Sequence, residues 1–123
     1  MKLEKRFKHL QIALKIADWF STEEHIDYDV DFASECLFID GKMTFFDSTI
    51  LEFTESITPD RFRYRYQYMH ADGSLIFRYD NVPHHREIAT FPHHKHIHDQ
   101  VVESHIISLR QVIEEIVELL TVS

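Results

Sequence analysis

Only one cysteine, two glycines and three prolines occur in the chain's 123 residues. A single thiol, Cys36, cannot close an internal disulfide, which agrees with a reducing compartment. So little glycine and proline excludes low-complexity and collagen-like chains, and 44% apolar with 13% aromatic residues is a composition able to bury a core. No segment approaches the eighteen or so consecutive apolar residues that span a bilayer. The basic start, MKLEKRFKHL, is followed by neither an uninterrupted apolar run nor a small-residue cleavage site, so no secretory signal is expected. Positive charge is also short, because the net charge of −8 excludes holding nucleic acid by bulk electrostatics.

The charge is unevenly placed. Residues 1 to 20 sum to +3, 22 to 60 to −10, 61 to 102 to +2 and 103 to 123 to −3. A locally basic island therefore sits in an acidic chain, and it overlaps the most unusual stretch, Tyr79 to His98, which holds six of the ten histidines. Within it Pro-His-His occurs twice, at Pro83-His84-His85 and Pro92-His93-His94. Imidazole both takes and gives protons near neutral pH and is the commonest metal ligand, so the stretch points to proton transfer or to metal.

The pattern predicts one domain over residues 1–123, of α+β class: an antiparallel sheet of about five or six strands flanked by an N-terminal and a C-terminal helix. Leu3, Phe7, Leu10, Leu14, Ala17 and Phe20 recur at helical steps over 2–20, and Ser21-Thr22 break that pattern. Ile26 to Phe32 alternates as a half-buried strand, with Asp27, Asp29 and Asp31 outward. Those aspartates lack the glycine and glutamate of a calcium loop, so they read as a solvated face. Strands follow at 37–46, interrupted by a hairpin turn or bulge at Asp40-Gly41, and at 49–57.

The best-defined hairpin joins 61–70 to 75–80 through Asp72-Gly73, a dipeptide favouring two central residues at positive φ. That turn sets Tyr68 opposite Phe77, Tyr66 opposite Tyr79, Gln67 opposite Arg78 and Arg65 opposite Asp80. One face is then aromatic, with Phe62, Tyr64, Tyr66 and Tyr68, and the other carries Arg61, Arg63, Arg65 and Arg78. Arg65 is expected to pair with Asp80. Ser108 with Gln111 matches a capping box opening a helix to Val122, with Glu114, Glu115 and Glu118 toward water.

The segments Phe45-Phe46-Asp47-Ser48-Thr49-Ile50-Leu51-Glu52-Phe53-Thr54-Glu55, Tyr64-Arg65-Tyr66-Gln67, Asp72-Gly73, Phe77-Arg78-Tyr79-Asp80-Asn81, Pro83-His84-His85 and Thr90-Phe91-Pro92-His93-His94-Lys95-His96 resemble the TumE-like toxins of two-gene toxin–antitoxin modules. The resemblance covers the middle and C-terminal two thirds. The chain departs from it after Phe46, with Asp-Ser-Thr where the family tends to have Asp-Gly-Ser. A cytoplasmic bacterial or archaeal toxin is implied, with a cognate DNA-binding antitoxin as partner. The oligomeric state stays open, a homo-oligomer included, and no membrane partner is expected.

Three readings of the histidines follow. In a metal-independent endoribonuclease acting on an RNA substrate, His84, His85, His93, His94 and His96 supply acids and bases, Arg65 and Arg78 bind phosphate, and Tyr79 and Phe91 stack bases. This first reading needs no cofactor. In the second, zinc is held by His94, His96 and His98, which would share one face of a strand, with His84 or Asp80 as a further ligand. In the third the histidines are structural, or form the surface a partner covers.

Overall fold

A computed structural model describes residues 3–83, 87–97 and 99–122. The order is α1 (Leu3–Asp18), β1 (Ser21–Asp31), β2 (Cys36–Phe45), β3 (Ile50–Thr58), β4 (Arg61–Met69), β5 (Leu75–Asp80), β6 (His94–Ile97), β7 (Gln100–Glu103) and α2 (Leu109–Thr121). The strands form one antiparallel sheet in sequence order. The α+β class and the flanking helices hold, but the described residues form seven strands rather than five or six. The surplus is β6 and β7, the first of which lies inside the histidine stretch.

Side chains alternate across a strand, so the ladder defines two rows of opposite character. One row runs Gly41, Phe53, Tyr66, Tyr79, Lys95, and its neighbour Met43, Leu51, Tyr68, Phe77, Ile97. These point inward, where both helices cover them and a single core gathers Leu10, Ala13, Ala17, Leu109, Val112, Ile113 and Ile116 with the sheet residues. Each large apolar side chain buried there contributes about 1.5–3 kcal/mol. The rows between, Lys42, Glu52, Gln67, Arg78, His96 and Asp40, Thr54, Arg65, Asp80, His94, point away from the helices.

Several local expectations change. Ser21 and Thr22 already belong to β1. Asp40-Gly41 neither turns nor bulges; β2 runs straight through, and Gly41 is required because the Phe53 ring lies 2.5 Å from where a Cβ would stand. Cys36 is half-buried at the start of β2. The register predicted for Tyr68, Gln67, Tyr66 and Arg65 is the observed one. Its turn differs: Gly73 N–H donates to the His70 carbonyl at 2.9 Å, only Gly73 has positive φ (88°), and a register shift beside Met69 absorbs the longer loop. The capping box is present, with Ser108 accepting from Gln111 N–H and Gln111 Oε1 accepting from Ser108 N–H.

Two ion pairs lie on the helix side of the sheet, each with a tyrosine hydroxyl added. Arg6 of α1 donates to Glu55 Oε1 through Nε at 3.2 Å and an Nη at 2.8 Å, and Tyr66 donates to Oε2 at 2.6 Å. Burial, with the Glu55 carboxylate beside it, pushes the Tyr66 phenol well above its ordinary value, so it stays a donor. Lys95 meets Glu115 of α2 at 3.0 Å, and the Tyr79 hydroxyl donates to the same carboxylate at 2.6 Å. Glu115 is therefore not simply a solvated residue, as the helical pattern alone suggested; though partly exposed, it joins α2 to the sheet.

Arg6→Met should cost about 3–5 kcal/mol in urea unfolding, since the Glu55 side chain is 0% exposed and would keep an uncompensated charge. Adding Glu55→Gln should recover part of that loss; no recovery would count against the ion pair. Ser48, which stands where the resembling family tends to have glycine, has φ of 74°. Ser48→Gly should therefore raise stability by roughly 0.5–1 kcal/mol in the same measurement, and a loss would contradict this reading of the turn.

Candidate functional site

The far end of β5 meets β6 in a register that sets Arg78 opposite His96 and Asp80 opposite His94. Opposed residues share a face, so all four project from the side away from the helices. Asp80 is 3% exposed, and a carboxylate so removed from water needs donors. Oδ1 accepts from Val82 N–H at 3.1 Å and faces His94 Nε2 at 2.8 Å. Oδ2 accepts from Arg78 Nε at 3.2 Å and lies 3.5 Å from His96 Nε2.

Hydrogen-bond chemistry assigns the ring nitrogens. The Pro92 carbonyl, 3.0 Å from His94 Nδ1, can only accept, so Nδ1 carries a proton and Nε2 is turned to the carboxylate. A guanidinium can only donate, so His96 Nε2, 3.1 Å from an Arg78 Nη, offers its lone pair. The two imidazoles meet edge to face with centroids 4.9 Å apart.

Neighbouring residues hold this arrangement. Asn81 is buried; its Oδ1 accepts from Tyr64 N–H at 2.9 Å and its Nδ2 donates to the Phe62 carbonyl at 2.8 Å, fastening the end of β5 to β4. Thr90 Oγ1 donates to the His93 carbonyl at 2.7 Å and accepts from Ser104 N–H at 2.9 Å, tying the approach to β6 to the residue that follows β7. Arg65 stands opposite Asp80 on the same face and is exposed. Among the described residues the ion pairs of Asp80 are with Arg78, His94 and His96, so the pairing expected with Arg65 is replaced by three nearer cationic or imidazole groups.

The sequence-selected residues thus divide. His94, His96, Arg78 and Arg65 share the outer face. His93 sits apart: its Nδ1 is 2.7 Å from the Tyr64 hydroxyl and its ring stacks on Tyr64 with centroids 5.7 Å apart, on the helix side. Burial pushes the Tyr64 phenol up to about 12, so the hydroxyl keeps its proton beside His93. Tyr79 is 7% exposed with its hydroxyl on Glu115, so it is a core residue and offers no ring to a base. Phe91 is 38% exposed. His84, His85 and His98 lie outside the described residues.

The sequence reading named Asp80 only as a salt-bridge partner and a spare ligand, and it missed Asn81 and Lys95. A signal for Lys95 existed. On a strand whose neighbouring histidines face outward, a lysine between them must face inward and needs a buried carboxylate.

The fold and this cluster define a small α+β protein with a carboxylate–imidazole–guanidinium site on the open side of its sheet. Over residues 12–121 the chain matches the family model described as Toxin TumE, and it belongs to the TumE toxin family. No curated protein and no solved structure matches it. Among the described residues no helix is long and apolar enough to cross a membrane.

Burial, with His94 and His105 adding to it, holds His93 below its ordinary value of 6.5. The unfolded chain then binds this proton more readily than the folded one, so stability is lost as pH falls through 6.5 toward the folded value. Between about pH 7.5 and about pH 5.5, His93→Gln should lose less melting temperature than the parent chain. Equal losses would show that His93 carries no part of the pH dependence.

Proposed function

We propose that the protein arrests growth as a cytoplasmic endoribonuclease that needs no metal ion and is restrained by a cognate DNA-binding antitoxin. Family membership carries the toxin role and the existence of an antitoxin partner. The nuclease reading rests on one observation: an imidazole lone pair faces a guanidinium at the accessible rim of the site. The side chains of His96 and Arg78 are 16% and 31% exposed, whereas those of His94 and Asp80 are 3% and 5% exposed. A substrate therefore reaches the first pair and not the second.

In this reading Arg78 turns from His96 to a phosphate of the RNA, freeing Nε2. His96 takes the proton of the 2′-hydroxyl, O2′ bonds to phosphorus and the P–O5′ bond breaks. The departing O5′ takes a proton from a second histidine, for which His84 or His85 is the candidate, since the chain leaves the site at Pro83 shortly after Asp80. The products are a 2′,3′-cyclic phosphate and a 5′-hydroxyl. Asp80 and His94 are positioning residues that fix Arg78 and His96. Arg65 extends the phosphate-binding face, and Phe91, being exposed, is the candidate for stacking a base.

Sequencing of RNA ends after induction should find 5′-hydroxyl ends paired with cyclic phosphates, and the purified protein should make the same cuts in EDTA. His96→Ala should lower cleavage about 10² to 10⁴-fold, as expected for loss of a general base, while His93→Gln should retain it. Uncut RNA during growth arrest would end the nuclease reading, and 5′-phosphate ends would replace the 2′-hydroxyl mechanism.

A further inference from the structure

We propose that Asp80, His94 and His96 form a binding site for a divalent first-row transition cation of the zinc class, and that the bound ion switches the site off. The second half of this rests on the ribonuclease reading; the first does not. One ligand atom from each of the three residues lies within 4.8 Å of the others. They stand on two adjacent strands in direct register, so no loop has to fold to bring them together. Zinc accepts two imidazoles and a carboxylate at about 2.0–2.2 Å each and can leave a further position to solvent.

The surroundings are those of a ligand set. The Pro92 carbonyl anchors His94 Nδ1 at 3.0 Å, which directs Nε2 at the cluster, the arrangement that orients metal-bound histidines. Glu103 faces His94 across the next ladder and adds negative charge on the same side. Binding exchanges cations. Any proton held between His94 Nε2 and Asp80 Oδ1, 2.8 Å apart, leaves to solvent, and those atoms separate to about 3.3 Å to admit the ion. Arg78 must withdraw from His96 Nε2, and its partly exposed side chain has room to do so. Arg78 is thus a built-in competitor of the metal. The ion, once bound, occupies the lone pair that His96 would offer to the 2′-hydroxyl.

The donor set differs from the one expected from alternation alone, His94, His96 and His98. Asp80 joins because β5 lies beside β6 in this register, and His98 is not required.

The test uses the untagged, metal-stripped protein titrated with Co²⁺ and then Zn²⁺. One equivalent of Co²⁺ should give the visible absorption of a low-coordinate nitrogen–oxygen site, and Zn²⁺ should displace it. His96→Ala and Asp80→Asn should each weaken binding at least tenfold. The triple variant His84→Ala/His85→Ala/His98→Ala should keep it. Arg78→Gln should tighten it about tenfold by removing a neighbouring positive charge. Binding that survives His96→Ala but disappears in the triple variant would mean a histidine tract collecting metal without a site, and would overturn the proposal. Unchanged affinity in Arg78→Gln would remove the competition. For the switch, one equivalent of Zn²⁺ should abolish RNA cleavage and EDTA should restore it; unaffected cleavage with the metal bound would overturn the switch. Cobalt binding without any RNA cleavage would sink the nuclease reading and leave the metal site standing.

Discussion

A carboxylate withdrawn from water has to be surrounded by donors, and at Asp80 that requirement organises the end of the sheet. Its two oxygens gather a backbone N–H, a guanidinium and an imidazole, and a second imidazole stands nearby. The groups come from β5, from Val82 two residues beyond it and from β6, so the short His94–Ile97 strand gains an anchor beyond its few ladder bonds. Fixing Asp80 fixes Arg78, and fixing Arg78 fixes which nitrogen of His96 has its lone pair turned outward. The chemistry proposed for the site follows from a single buried charge.

The helix side of the sheet answers the same problem differently. Glu55 and Glu115 are each given one cation and one tyrosine hydroxyl, Arg6 with Tyr66 and Lys95 with Tyr79. Each links a helix to a strand, so these charges set how α1 and α2 lie on the sheet. Among the described residues no buried side-chain nitrogen or oxygen is left without a partner. Tyrosines on the inner rows are therefore polar handles for the core, whereas the outer rows carry the arginines and histidines, of which Arg78 and His96 are partly exposed.

Much of this was readable in the chain. Period-two alternation from 61 to 80 separated tyrosines from arginines, and Asp72-Gly73 placed the pairing of the hairpin even though the turn itself takes another form. The alternation of His94 and His96 correctly implied one shared face. What could not be read was that the chain comes back beside β5 at His94, and so neither the seventh strand nor the meeting of Asp80 with His94. Nor does the sequence reveal which partners His93 and His94 find on their opposite sides of the sheet, one a tyrosine and one a carboxylate. The run Phe77-Arg78-Tyr79-Asp80-Asn81 makes sense only once β5 is seen edge on: Phe77 and Tyr79 fill the core, Arg78 and Asp80 lie in the candidate site, and Asn81 pins the strand.

The sheet is not closed, and its first strand, Ser21–Asp31, leaves one long margin of unpaired peptide groups. Such a margin is a template on which copies of a chain can polymerise. Here Glu23, Glu24, Asp27, Asp29 and Asp31 lie along it, so a second molecule brought alongside would meet its own sign of charge. The protection is electrostatic rather than steric, and it weakens as added salt shortens the screening length. Concentrated stocks of this protein should accordingly keep best in dilute buffer.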